Sequence, residues 1–318
     1  MSVRKFGLPY TGSKNRIAPW LMEMLPDCDH FVDVFSGGCA VSHAMILYGK
    51  AKKITLNDIN GDVPALFLDA LHGDLEKYSP YQWIDRTTFF EQKDTNPFIR
   101  LVYSFGYNGK CYLYSRQIEE YRHAVHSAIT ENKWSDFKKL CPEVCDNTIK
   151  ALEFVESFDE RRLVFQRELA LSLRKLSDVD KNIKTKNPLY ASSSTLSGHK
   201  CADQLERIKR IIDIKHSNFH SIQTKSMDYR LLDIPNNSVV FCDPPYKDSA
   251  VKYNNTKFNH EDFYDWCIEK AKYNDVYVTE YNIDHPNFQL IGEKARQFSL
   301  NATGSKGFKT ERLYKVIP

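Results

Sequence analysis

The residues best suited to chemistry lie in "VVFCDPPYKDS", positions 239–249, where an apolar strand runs into Asp243, two prolines and a tyrosine. Two consecutive prolines end a strand and remove two backbone donors, so the loop is stiff and its carbonyls are left free. A carboxylate and a proline carbonyl held side by side accept two hydrogen bonds from one amino group, and an adjacent aromatic ring stacks on a flat base. Asp243, Pro244 and Tyr246, stiffened by Pro245, therefore describe a site for a planar ring bearing an exocyclic NH2. A structural turn with a buried tyrosine is the competing reading.

Two other stretches carry candidate groups. "HFVDVFSGGCAVSHAMILYG" reads as a short buried strand, Phe31 to Val34, then a glycine turn, then a helix with Val41, Ala44, Met45 and Tyr48 at helical spacing. "KITLNDIN" follows as a second strand that ends on Asp58. Strand, glycine turn, helix and strand with a terminal acid form the opening βαβ unit of a doubly wound sheet, and an acid about 20 residues past the turn suits ribose hydroxyls. Taken singly, Gly37 and Gly38 also suit an ordinary turn, Asp58 a helix N-cap, and Asp228 a turn cap. "GLPYTGSKNR" (7–16) has glycines and a lysine like a phosphate loop. However, Ser13 stands where that motif needs lysine, Lys14 falls one place late, and no strand precedes it. The near copy "ATGSKGF" (302–308) lacks a neighbouring βαβ unit and is expected to form a turn in a final hairpin.

These motifs must be positioned by one large domain or two unequal ones, the range that 318 residues allows. After Gly61 the pattern turns mainly helical, with amphipathic segments such as "QIEEYRHAVHSAI", "DNTIKALEFVESF", "RRLVFQRELALSLRKL" and "ADQLERIKRIIDI". "YSFGYNGKCYLYSR" reads as a hairpin or ordered loop, and the serine-rich "KTKNPLYASSSTLSGHK" as an exposed loop. Strand character returns with "FHSIQTKSMDYRLLDI", "NSVVFC" and, after a helix at "HEDFYDWCIEKAK", "DVYVTEYN". The expected architecture is an α/β, Rossmann-like sheet formed by 1–60 and 218–318 and interrupted by a helical insertion at 61–217.

Composition bounds the rest. Apolar residues at 42% and charged residues at 27% describe a globular chain, and no apolar run approaches the ~20 residues of a membrane span. The N-terminus lacks the apolar block of a secretion signal, so a cytoplasmic location is expected. The eight cysteines read as small buried hydrophobes in a reducing compartment. Cys141 and Cys145 lack a second Cys/His pair at close range, so no metal is expected. Net charge is only +3, but residues 161–217 hold 13 Lys/Arg against 6 Asp/Glu. That basic stretch hints at a polyanion-binding face, and a solvated helix surface explains it equally well. For Arg161, Arg162, Arg167, Arg174 and Lys175 the solvated surface is the favoured reading.

"YTGSK" (10–14), "DVFSGGCAV" (33–41), "LNDIN" (56–60) and "DPPY" (243–246), in this order, resemble the Dam-type, D12 class adenine-N6-specific DNA methyltransferases. The resemblance covers about residues 5–60 and 218–318. It implies a methyltransferase sheet that binds S-adenosylmethionine and an inserted, mainly helical DNA-recognition domain. It also implies Asp243, Pro244, Pro245 and Tyr246 as the catalytic group. Tyr10, Lys14, Asp33, Phe35, Gly37, Gly38, Asp58, Asp228 and Asp243 would line the cofactor site, with Asp58 on the ribose and Asp228 facing the cofactor's adenine. Double-stranded DNA is the implied partner, with room for a cognate restriction endonuclease and no requirement for metal or membrane. In the insertion, Lys110, Tyr112, Tyr114 and Arg116 are candidates for a DNA-contacting hairpin, against a packed hairpin covering the helices. The chain departs from the family at Cys39, where a third glycine is more usual. The implied activity is transfer of a methyl group to a flipped-out adenine. Alternatives are an amino-methyltransferase on RNA, cytosine N4 or a protein amide, or an inactive DNA-binding homologue.

Overall fold

The computed structural model describes residues 5–142, 146–165, 167–168, 203–214, 221–247, 258–298 and 307–318. Two compact units emerge: Met1–Asp74 with Asp213–Pro318, and Leu75–Ile212. The first unit keeps a helix (Asp62–His72) that falls within the insertion expected at 61–217.

The first unit is built on a seven-stranded sheet of β1 (Cys28–Asp33), β2 (Ala51–Asn57), β3 (Ser221–Lys225), β4 (Val239–Cys242), β5 (Asp275–Glu280), β6 (Phe288–Phe298) and β7 (Gly307–Val316). Their spatial order is β3-β2-β1-β4-β5-β7-β6. The first five are parallel, and β7 runs antiparallel to both β5 and β6. Central strands buried on both faces read as continuous apolar runs, as β4 "VVFC" does, all four residues being buried. Helices α1 (Ala18–Met24), α2 (Ala40–Leu47) and α3 (Asp62–His72) belong to this unit. The sheet packs Val32, Val240, Val276 and Val278 with Phe35, Tyr229 and Phe263 into one core.

The expected elements appear where periodicity placed them: a strand before the glycine turn, a helix after it, then β2, β4 and β5. Of the turn expected at 302–308, residues 302–306 lie outside the described residues and Gly307 and Phe308 begin β7; the serine-rich loop at 184–200, Arg174, Lys175 and Cys145 also lie outside the described residues.

The second unit contains α4 (Arg86–Gln92), α5 (Pro97–Val102), α6 (Glu119–Glu131), α7 (Ser135–Leu140), α8 (Asp146–Glu153) and α9 (Asp203–Ile212). Its loop 104–112 is closed by one antiparallel bridge, Ser104 with Tyr112. Arg207 holds this loop by donating to the carbonyls of Val102 (2.8 Å) and Ser104 (2.6 Å), with its guanidinium 4.2 Å from the centre of the Tyr107 ring. Among the described residues no helix is long and apolar enough to cross a membrane.

Candidate active site

From β1 the chain proceeds outward through β2 to β3, whereas β4 and β5 lie on the other side of β1. Such a reversal opens a crevice at the carboxyl ends of the central strands, where α/β sheets bind ligands. Asp33 ends β1 and Asp243 follows β4, so both carboxylates stand at the crevice. Asp33 is buried and accepts a 2.5 Å hydrogen bond from Ser42 Oγ on α2.

The glycine turn is tied to β2. Asp58 accepts backbone N–H bonds from Gly37 and Asn60, both 2.9 Å, on separate carboxylate oxygens. A side chain on Gly37 or Gly38 would strike Tyr10: a Cβ would lie 2.9 Å from its ring and 2.6 Å from its Cβ, respectively. The N-terminal segment is thereby laid against the turn, and Leu8 N–H donates to Gly38 O at 2.7 Å. Cys39 caps α2 with φ 59° and ψ 30°, the left-handed conformation that glycine adopts without strain. Cys39 therefore holds a left-handed backbone that suits glycine while carrying a buried side chain.

Ser13 caps a short 3-10 turn, Lys14–Arg16, by accepting from Asn15 N–H, and this turn carries Lys14 into the site. Lys14 Nζ lies 2.8 Å from Asp243 Oδ1 and 3.8 Å from Glu311 Oε2, and 4.6 Å from the centre of the Tyr246 ring. Thr279 Oγ1 donates to the same Asp243 oxygen at 2.8 Å. Tyr246 donates its hydroxyl to Glu311 Oε2 at 2.5 Å, and its ring meets Tyr281 edge-on with centroids 4.5 Å apart. Lys14, Asp243 and Tyr246 thus come together. Thr279, Tyr281 and Glu311 join them without having been singled out in the sequence.

Burial dominates the electrostatics. It pushes Asp243 above the ordinary carboxylate range, with Glu311 adding to the effect and Lys14 opposing it. Burial likewise raises Asp58, against the two backbone N–H bonds it accepts. Asp33 is pushed up to about 7, burial outweighing the Ser42 bond. Glu280, which ends β5, is also pushed up to about 7 by burial, although it accepts N–H bonds from Tyr281 (2.7 Å) and Lys247 (3.2 Å).

A carboxyl raised in the folded state holds its proton more tightly there than in the unfolded chain. Its contribution to stability is therefore full below the unfolded value near 4.5 and is lost as pH rises to about 7. Glu280→Gln removes this titration, but its NH2 takes the place of one of the two oxygens that accept N–H bonds from Tyr281 and Lys247. The variant is therefore expected to be less stable than the parent at pH 4.5 and to gain on it by about 2–3 kcal/mol between pH 4.5 and 8, at ~1.4 kcal/mol per pH unit. Denaturant titrations at the two pH values check this, and a stability difference that stays constant with pH contradicts it.

The other candidates are placed as follows. Phe35 is buried against Tyr229, Phe258 and Phe263. Pro244 is buried, and Pro245 is half-buried. Asp228 is half-buried and engaged by Arg230, whose Nε (2.9 Å) and Nη2 (2.7 Å) donate to its two oxygens, holding it below its ordinary value.

In the second unit, Lys110 and Arg116 are exposed. Tyr112 and Tyr114 are both buried. Tyr112 donates to Ile84 O at 2.8 Å, while Tyr114 stacks on Trp83 and donates to Gln204. Phe105, 61% exposed, is an aromatic that faces solvent. Arg161 and Arg162 are likewise buried rather than on a solvated face. Arg161 donates to the carbonyls of Ile129, Val155 and Glu156, and Arg162 pairs with Glu206. Arg167 is exposed. Among the described residues no group of His, Cys, Asp or Glu could hold a metal ion.

A mixed α/β fold with a seven-stranded sheet and helices is consistent with a methyltransferase family. Residues 10–272 match the family model described as D12 class N6 adenine-specific DNA methyltransferase, and the chain belongs to that family. No curated protein matches the chain. Membership makes it an enzyme of DNA adenine methylation, with DNA as its substrate.

Proposed function

We propose that the chain transfers a methyl group from S-adenosylmethionine to N6 of an adenine rotated out of double-stranded DNA, at a specific sequence. The observation that carries this reading is the placement of Asp243 at the end of β4, bonded by Lys14 and Thr279 on Oδ1 and flanked by Tyr246. The residues suit the cofactor: the Gly37–Gly38 turn packs closely against Tyr10, which would border the cofactor, and Asp58 stands at the end of β2 to receive ribose hydroxyls. Tyr10 and Lys14 border that space, with Asp33 behind it. Asp228, once parted from or shared with Arg230, is the acceptor for the cofactor's adenine.

S-adenosylmethionine, when bound, supplies an electrophilic methyl group. The protein's task is to make N6 a nucleophile, because its lone pair is delocalised into the ring. Asp243 Oδ2, the oxygen that neither Lys14 nor Thr279 uses, and the Pro244 carbonyl accept the two N6 hydrogens and draw the nitrogen toward tetrahedral geometry. The carboxylate also stabilises positive charge developing on nitrogen. Lys14 favours the ionised form of Asp243, opposing the burial that disfavours it. Extruding the base costs about a few kcal/mol, partly offset by stacking on Tyr246.

The unit Leu75–Ile212 supplies target recognition in this reading, with Lys110 and Arg116 on phosphates and Phe105 offering a stacking surface. The enzyme works in the cytoplasm, alone or beside a restriction endonuclease that cuts the unmethylated sequence. Long-read sequencing of DNA from cells with and without the gene is expected to show N6-methyladenine at one sequence context only when the gene is present. Unchanged DNA, or N4-methylcytosine in its place, overturns the proposal.

A further inference from the structure

We infer that Glu311 is a positioning residue of the active site, acting through Tyr246 and Lys14, an inference that rests on the function proposed above. It lies on β7, an antiparallel strand added to the parallel part of the sheet and far in sequence from the loop it serves. Its side chain is buried, only 2% exposed.

Burying a carboxylate is costly unless it is paired and hydrogen-bonded. Glu311 meets that demand inside the catalytic cluster: Oε2 accepts the Tyr246 hydroxyl at 2.5 Å and lies 3.8 Å from Lys14 Nζ. The same ammonium bonds Asp243 at 2.8 Å and stands 4.6 Å from the centre of the Tyr246 ring.

One carboxylate therefore fixes both ends of the arrangement. Holding the hydroxyl sets the plane on which an adenine must stack, since the Tyr246 ring pivots about its bonds to the backbone and is otherwise braced edge-on by Tyr281. Sharing Lys14 between two acids sets where that cation sits relative to Asp243 Oδ1 and keeps it off Oδ2, the oxygen left for N6. Because Glu311 touches these two side chains and not the reacting atoms, its loss disturbs orientation. Misplacing reacting groups by about 1 Å costs roughly 10²-fold.

The test is a double-mutant cycle in single-turnover methyl transfer to DNA, using the full chain, labelled S-adenosylmethionine and unmethylated plasmid. Glu311→Gln, which keeps one acceptor oxygen, is expected to lose about tenfold in rate. Glu311→Ala is expected to lose about 10²-fold, each with a cofactor Kd within threefold of the parent. Tyr246→Phe, which removes only the hydroxyl, is expected to lose about tenfold, and its combination with Glu311→Ala to be no slower than Glu311→Ala alone. The graded rescue by Gln and the non-additivity separate positioning from general packing.

Should Glu311→Ala fail to fold, the cycle of Glu311→Gln with Tyr246→Phe decides in the same way. An active parent with rate losses that multiply, or with Glu311→Ala at the parental rate, overturns this inference alone. A parent that leaves DNA unmethylated overturns the proposed function and this inference together.

Discussion

Asp243→Asn is expected to lower the rate of methyl transfer to DNA by about 10²–10³-fold, the loss that follows removal of one group aimed at charge developing in a transition state. Asparagine keeps the size of the side chain and one acceptor oxygen, but its NH2 cannot accept. If the amide turns its oxygen toward Lys14 and Thr279, where Oδ1 now sits, it presents a donor to the N6 hydrogens. Stability should fall as well, because Lys14 is buried and loses the nearer of its two acids. Rapid-quench transfer assays with a parallel thermal melt separate the two effects. A folded variant within tenfold of the parental rate contradicts the role given to Asp243.

Gly7→Ala should have the second large effect, by a structural route. A Cβ at Gly7, where φ is +61°, would lie 2.2 Å from Gly38 O and 2.7 Å from Ala40 N, and both are backbone atoms that cannot rotate away. The segment is fixed there by Gly7 N–H donating to His43 Nδ1 at 3.0 Å and by Leu8 N–H donating to Gly38 O. Forcing in a methyl group lifts the segment that carries Tyr10 and Lys14 off the glycine turn. The expected result is at least a tenfold weaker binding of S-adenosylmethionine, with about 2–4 kcal/mol lost from the fold, in the range of backbone strain plus overpacking. Gly12→Ala is the control: its φ is also positive, +79°, yet nothing lies within 4 Å of the added carbon. It should cost only about 1–2 kcal/mol of conformational strain. Calorimetric titration and melting of both variants check the pair, and equal losses would contradict the clash.

These expectations depend on features that are legible to different degrees in the chain. The β1 turn α2 β2 unit and the "DPPY" loop are readable because their signals are local. Apolar runs, paired glycines and paired prolines act on the backbone within a few residues, whatever surrounds them. Glu311 carries no such signal. Its importance arises from the pairing of β7 with β5, and the only hint is an acid two residues from Leu313, on the same face of a strand otherwise turned to the core. Tyr112 and Tyr114 show the opposite difficulty. Aromatics next to Lys110 and Arg116 look alike whether they face DNA or fill a core, and the deciding partners, Trp83, Ile84 and Gln204, are distant in sequence. Arg161 resembled a solvated charge because the carbonyls that bury it come from the ends of other elements, a coincidence that no spacing encodes.

The most direct measurement of the central claim is the chemical identity of the transferred methyl group. Purified protein is incubated with methyl-labelled S-adenosylmethionine and unmethylated double-stranded DNA, the DNA is digested to nucleosides, and the label is located by mass spectrometry. Label is expected in N6-methyldeoxyadenosine, and to appear about 10²–10³-fold more slowly when Asp243→Asn replaces the parent. Label confined to cytosine, RNA or protein, or unchanged in the variant, would contradict the claim.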